Sequence, residues 1–174
     1  MTRPILVTYA SRSGFTAGVA EAIGRALAEG GTPIDVRPMS DVGDVCGYQA
    51  VVAGSAIRDR QWLPEAMRFV TTHRQALAQR PFAAFLVCIT LSMTNADQYR
   101  AGVSGWLDPV RALVRPVSEG LFAGGLDFRK LPLNGSTLMM HVPVMIGLWK
   151  AGDHRDWGAI QAWAEQTRPW LAGQ

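Results

Sequence analysis

Four residues with chemistry suited to phosphate binding lie close together near the start of the chain. Ser11, Ser13 and Thr16 carry hydroxyl donors, and Gly14 lets the backbone approach an anion closely. Arg12 lies among them and could add positive charge or face solvent. These residue types in this spacing predict a loop that binds one phosphate. An ordinary serine- and glycine-rich turn is the alternative.

The elements around this loop would place it at the carboxyl end of a strand. Residues 5–9 are apolar and β-prone, and residues 19–27 carry apolar side chains at helical spacing. The N-terminus of such a helix offers free N–H groups and a positive partial charge. The loop lacks the glycine–lysine pair of a P-loop NTPase and the GxGxxG pattern of a dinucleotide site. These features favour a terminal phosphate bound without magnesium.

The rest of the chain alternates strand and helix patterns. Further strands are predicted at residues 34–38, 50–54, 82–90 and 117–124. Further helices are predicted at about 64–77, 99–114 and 157–171. Apolar strands that alternate with helices indicate a parallel sheet covered on both faces. The 174 residues suit a single domain, 1–174, with an apolar insertion at about 125–153.

Two segments resemble those of a known protein family. The pattern Ser11-x-Ser13-Gly14-x-Thr16, directly after a first strand, resembles the FMN-phosphate signature of flavodoxins. Residues 53–58, followed by an aromatic-bearing loop and a helix, resemble the bacterial quinone-linked, flavodoxin-like protoporphyrinogen oxidases. The similarity covers nearly the whole chain. It implies a flavodoxin-like three-layer αβα sandwich around a five-stranded parallel sheet of order 2-1-3-4-5, with FMN as cofactor.

The same resemblance implies a function. We expect an FMN-dependent oxidoreductase, with protoporphyrinogen oxidation coupled to quinone in haem biosynthesis as the suggested activity. The alternative is a flavodoxin-like electron-transfer or FMN-binding module without a substrate of its own. No catalytic side chain is assigned, because the cofactor would carry the redox chemistry.

Three loops would meet at the FMN site, because ligands of open α/β sheets bind where the strand order reverses. They follow the first, third and fourth strands. In the second loop, Arg58 could stabilise negative charge on the reduced flavin or be a solvated arginine. Trp62 could stack on the flavin or anchor the next helix, and we favour the anchor. The candidate cofactor-binding residues are Ser11, Arg12, Ser13, Gly14, Phe15, Thr16, Ser55, Ala56, Ile57, Arg58, Thr90, Leu91 and Ser92.

Charge and composition narrow the possible partners. The formal charge is +3 and the sequence pI is about 9.2, with arginines scattered along the chain. Scattered basic residues argue against nucleic-acid binding. A basic pI differs from the acidic character usual in electron carriers. The absence of an aromatic residue at 90–94 would leave one flavin face open to a quinone or another apolar planar molecule. The resemblance also allows a homo-oligomer.

The apolar segment 131–150 is rich in methionine and has two interpretations. It could face a quinone or the membrane surface, or it could be a buried helix or a dimer contact. His141 within it could donate a proton to substrate, although a structural histidine is the more common case. Without a leader before the first strand we expect a cytoplasmic protein, peripheral at the inner membrane face if 131–150 contacts lipid.

The cysteines and histidines predict no metal site. Cys46 and Cys88 form no CxxC pair, and the histidine spacing does not fit zinc. Cys88 lies in an apolar run, so we expect a buried free thiol.

Overall fold

A parallel sheet forms the centre of the molecule. The structure, a computed structural model, describes residues 3–126 and 152–172. The strands of the main sheet are β1 (Ile5–Ala10), β2 (Ile34–Pro38), β3 (Ala50–Arg58), β4 (Gln61–Trp62), β5 (Phe82–Cys88) and β6 (Ser118–Ala123). Five of them run in the order β2-β1-β3-β5-β6, each parallel to its neighbour. The predicted 2-1-3-4-5 order of parallel strands is confirmed, and the short β4 adds an antiparallel partner to β3.

Helices cover both faces of this sheet. They are α1 (Phe15–Ala28), α2 (Pro64–Ala78), α3 (Ala96–Gly105), α4 (Asp108–Leu113) and α5 (Trp157–Leu171). One-turn 3₁₀ helices occur at Met39–Asp41 and Ile89–Ser92. α1 and α5 share one core with one face of the sheet, while α2, α3 and α4 share a second core with the other. The three-layer sandwich is therefore the predicted one.

The burial of each strand follows its place in the sheet. Every residue of β5, an inner strand, is buried, as expected for a strand covered on both faces. β2 lies at the edge and its residues are half-buried or exposed, which confirms the expected edge position. The carboxyl ends of β1, β3 and β5 are adjacent, with Ala10 opposite Ser55 and Ala56 opposite Val87.

The third strand is longer than predicted. We expected it to end at Gly54 and a loop to follow over residues 55–62, which is wrong. β3 continues to Arg58, turns through Asp59 and Arg60, and returns as β4. Two-residue hairpin turns of this kind usually contain the pair Asn-Gly or the pair Asp-Gly. The turn here contains neither, so the sequence carried no recognisable hairpin signal.

The segment after the fourth parallel strand also differs from its prediction. β5 ends at Cys88 rather than at Thr90, and a 3₁₀ helix follows. The helix predicted at 99–114 is two helices, α3 and α4, with a break at Trp106 and Leu107. Pro109, in the first turn of α4, explains the break, because proline lacks an N–H and suits a helix start.

A small ribbon joins the two ends of the predicted insertion. β7 (Gly125–Leu126) pairs antiparallel with β8 (Gly152–Asp153). The segment 131–150 and His141 lie outside the described residues. Within the described ranges, no helix has the length and apolar character needed to cross a membrane.

Candidate functional site

The loop after β1 has the geometry of an anion-binding turn. Gly14 is the residue before α1 and adopts a left-handed conformation, with φ of 86°. This region favours glycine because a Cβ would be strained there. The Gly14 N–H donates to the Ser11 hydroxyl oxygen at 3.1 Å, which closes the loop. A tight turn therefore leads directly into the first helix.

The start of α1 leaves donors available to a ligand. The first helical bond runs from the Gly18 N–H to the Gly14 carbonyl at 3.1 Å. In residues 3–126 and 152–172, no side chain caps this helix. The N–H groups of its first turn are then free for an anion, and the helix dipole favours negative charge there. Ser11, Ser13 and the buried Thr16 carry hydroxyl groups in the same segment.

Arg12 does not extend the donor set towards the helix start. Its Nη2 lies 3.0 Å and 3.1 Å from the two carboxylate oxygens of Glu65 on α2. The Arg12 side chain is 59% exposed and the Glu65 side chain 37% exposed. The structure therefore places this arginine in a surface ion pair between the loop and α2.

Arg155 contacts Phe15, at the junction of the loop after β1 and α1, and was missed by the sequence analysis. It follows β8 and its Nη1 donates to the Phe15 carbonyl at 3.3 Å. Its guanidinium carbon lies over the rings of Phe15 and Trp157, 5.1 Å and 4.4 Å from their centroids. Two further bonds, of 2.8 Å and 2.5 Å, reach the Asp153 carboxylate. These bonds to Arg155 lower the pKa of Asp153.

The β3–β4 hairpin holds the second group of predicted residues. The buried Ser55 hydroxyl donates to the Ala56 carbonyl at 2.7 Å and accepts from the Leu63 N–H at 3.0 Å. That hydroxyl therefore links the hairpin to the start of α2. Ala56 and Ile57 are half-buried, and the Arg58 side chain is 68% exposed.

Trp62 takes the anchoring role that we favoured. Its side chain is 3% exposed and packs in the core that α2 covers. It is therefore not on the surface where a flavin ring could stack.

The third group forms a one-turn helix beside the hairpin. Leu91 is buried, while Thr90 and Ser92 are half-buried. The Ser92 hydroxyl donates to the Ile89 carbonyl at 2.6 Å and so closes the turn. Because β1, β3 and β5 are neighbours, the structure brings all three predicted groups to one edge of the sheet.

Cys88 confirms the expected buried free thiol. Burial raises its pKa to about 11, so it stays protonated and weakly nucleophilic at neutral pH. Cys46 is exposed and also free. Across the described parts of the chain, no cluster of three or more His, Cys, Asp or Glu could hold a metal ion.

The fold and this loop together define a flavodoxin-like, FMN-binding class of domain. A family model described as a flavodoxin domain matches residues 6–147, so the chain belongs to the flavodoxin family. FMN is the cofactor of this family. The uncapped helix start, the left-handed glycine and the surrounding hydroxyls fit its phosphate.

Solved flavodoxin structures share the fold over nearly the whole chain. A flavodoxin from the domain Archaea is 16% identical with a TM-score of 0.57, covering 97% of this chain and 98% of that one. A short-chain flavodoxin associated with a non-canonical PDU bacterial microcompartment is 13% identical with a TM-score of 0.59, covering 97% and 99%. Flavodoxin 2 from Bacillus cereus is 18% identical with a TM-score of 0.55, covering 97% of both chains. A comparison with curated proteins found no match.

Proposed function

We propose that this protein is an FMN-dependent electron-transfer domain that exchanges electrons with an external partner. The observation that carries the proposal is the start of α1 at the carboxyl end of β1. There the left-handed Gly14 leads into the helix and no side chain of the described residues caps its N-terminus. Ser11–Thr16 would hold the FMN phosphate there, through backbone N–H groups and hydroxyls. When bound, FMN supplies the redox chemistry by accepting and releasing electrons.

The other two predicted groups would flank the flavin ring. The hairpin residues Ser55–Arg58 would contribute backbone groups, since the Ser55 hydroxyl is already engaged by Leu63 and Ala56. The exposed Arg58 guanidinium would place positive charge near the ring and favour the reduced, negatively charged flavin. Thr90–Ser92 would border the ring from the neighbouring strand end.

A second candidate is an FMN oxidoreductase that acts on a quinone or another apolar planar molecule. One observation favours it: neither Phe15, after the loop that follows β1, nor Trp62, in the β3–β4 hairpin, is free to stack on the flavin. Phe15 packs against Arg155 and Trp62 is buried. Protoporphyrinogen as the substrate, a membrane or quinone contact through 131–150, and self-association rest on the sequence resemblance and composition alone.

The first experiment measures FMN binding. We expect flavin absorption bands in the purified protein, or saturable quenching of FMN fluorescence when FMN is added to the cofactor-free protein. Gly14→Asp should abolish binding, because it adds a side chain and a negative charge where the phosphate binds.

Gly31→Asp is the matched control. Gly31 also has a positive φ, 77°, but it lies beyond the far end of α1 in open space. Gly31→Asp should bind FMN like the unaltered protein. The proposal is overturned if the unaltered protein binds no FMN, or if Gly14→Asp binds it equally well.

The second experiment separates the two candidates. The FMN-loaded protein is reduced chemically and then mixed with cytochrome c or with a soluble quinone under anaerobic conditions. An electron-transfer domain should reduce cytochrome c and should show no saturable turnover of quinone. In a separate assay, the oxidised FMN-loaded protein receives protoporphyrinogen as electron donor and quinone as electron acceptor. Saturable, multiple-turnover oxidation of protoporphyrinogen would favour the oxidoreductase instead.

A further inference from the structure

We infer that Arg155 is a positioning residue for the FMN phosphate and that it acts through the first turn of α1. This inference rests on the proposed FMN site at Ser11–Thr16. Arg155 lies far from the loop in sequence, 140 positions after Phe15, yet its Nη1 reaches the Phe15 carbonyl. The side chain is only 16% exposed, so the contact lies in a largely enclosed place.

The contact controls a peptide group that faces the ligand. The Phe15 carbonyl and the Thr16 N–H belong to the same planar peptide unit. A donor bound to that carbonyl therefore adds to the helical hydrogen bond in holding the direction of the Thr16 N–H, one of the first-turn donors of α1. It also polarises the peptide, which strengthens that N–H as a donor. Arg155 would thus orient a phosphate donor without touching the phosphate.

The guanidinium is held in place from several sides. Asp153 binds its Nε and Nη2, which leaves Nη1 for Phe15. The rings of Phe15 and Trp157 lie against it. Because Asp153 offsets its charge, Arg155 acts mainly through where it directs Nη1 rather than through added positive charge.

Two glycines make room for this arrangement. A Cβ on Gly18 would lie 2.2 Å from Arg155 Nη1, and a Cβ on Gly125 would lie 2.2 Å from the Phe15 ring. Glycine is unfavourable inside a helix relative to alanine. Gly18 in α1 is therefore explained by the space that the guanidinium occupies.

The test compares FMN with riboflavin, which lacks the phosphate. Dissociation constants for both are measured by fluorescence titration. Arg155→Gln should weaken FMN binding by about fivefold to tenfold, the effect of one misdirected hydrogen bond, and change riboflavin binding little. A merely structural role would weaken both flavins together, so the ratio of the two constants is the readout.

Two further variants keep the test decisive. Gly18→Ala leaves Arg155 in the chain but displaces its Nη1, so it should reproduce the loss for FMN even though alanine is the better helix former. Arg168→Gln is the matched control, because Arg168 donates to the Ala26 carbonyl at the opposite end of α1. It should leave the FMN-to-riboflavin ratio unchanged.

The outcomes separate this inference from the proposed function. An unaltered protein that binds no FMN overturns the proposed function and this inference with it. An unaltered protein that binds FMN, with an unchanged FMN-to-riboflavin ratio in Arg155→Gln and in Gly18→Ala, overturns the inference about Arg155 alone.

Discussion

Gly54 shows how one residue lets the sheet accept a large core side chain. It lies inside β3, and glycine in the interior of a strand weakens that strand. A Cβ at this position would lie 2.0–2.3 Å from three atoms of the Phe85 ring. Phe85 is fully buried and packs with the rings of Phe122 and Trp163. Because a side chain at position 54 would overlap this ring, packing accounts for the glycine.

Gly54→Ala should therefore destabilise the protein. Forcing a methyl group into this contact should lower the free energy of unfolding by about 1–3 kcal/mol, the usual cost of overpacking a core. Urea denaturation followed by circular dichroism measures it. Gly102→Ala in α3 is the control, since a Cβ there meets nothing within 4 Å, and it should raise stability by roughly 0.5–1 kcal/mol. Equal effects of the two substitutions would contradict this account.

At the scale of elements, the β3–β4 hairpin extends the sheet at its carboxyl edge, beside the loop after β1. Its turn residues, Asp59 and Arg60, both have positive φ, 51° and 62°. Residues other than glycine, asparagine and aspartate are disfavoured in this left-handed region, so the strain falls mainly on Arg60. The pairing of Ile57 with Trp62 and the burial of Trp62 hold the turn in this conformation. The hairpin is thus maintained by its base rather than by its turn.

Removing the backbone strain at Asp59 and Arg60 should stabilise the protein without changing its fold. The double substitution Asp59→Asn and Arg60→Gly introduces the residues that such hairpin turns prefer. We expect the free energy of unfolding to rise by about 1 kcal/mol, because the left-handed conformation no longer costs energy. Thermal or urea denaturation would measure the gain.

Arg115→Gly is the comparison for this prediction. Arg115 is also an exposed arginine between elements, but its φ is not positive. Glycine there should add flexibility to the unfolded chain and stabilise nothing. If Arg115→Gly raises stability as much as the hairpin variant, strain in the Asp59–Arg60 turn is not the cause.

At the scale of the whole molecule, charge and cofactor must be considered together. The chain alone carries +3, and the phosphate of FMN brings about −1.5 to −2 near neutral pH, as phosphate monoesters do. The loaded protein is therefore close to neutral overall. Long-range steering of a strongly charged partner would be weak, so recognition would depend on local contacts at the carboxyl edge of the sheet.

FMN binding should stabilise the whole domain. A ligand that binds only the folded state, at 100 times its dissociation constant, adds about 2.7 kcal/mol. For a chain of this size that corresponds to a rise in Tm of roughly 5–10 °C. Thermal denaturation with and without FMN measures it, and Gly14→Asp protein should show no rise. A Tm in the unaltered protein that FMN does not change would contradict the proposed site.

The sequence by itself determined the arrangement of parallel strands and helices and the position of the candidate phosphate-binding loop, Ser11–Thr16. Residue periodicity is local, so the apolar runs located the parallel strands and the helical spacing located α1, α2 and α5 to within a few positions. The type and spacing of Ser11, Ser13, Gly14 and Thr16 are also local, and the structure places them at the start of α1 as expected. The buried thiol of Cys88 followed from its apolar context in the same way, and the burial of Trp62 agrees with the anchoring role that we favoured over stacking on the flavin.

Only the tertiary structure decided how these parts are connected. The pairing of Arg12 with Glu65 joins residues far apart in sequence, and the contact of Arg155 with Phe15 spans 140 positions. The Ser55 hydroxyl bonds the Leu63 N–H at the start of α2 because the β3–β4 hairpin brings these two residues together. Such contacts leave no local pattern. They arise because parallel strands bring distant segments to one edge of the sheet, where long polar side chains bond the nearest free backbone groups and carboxylates.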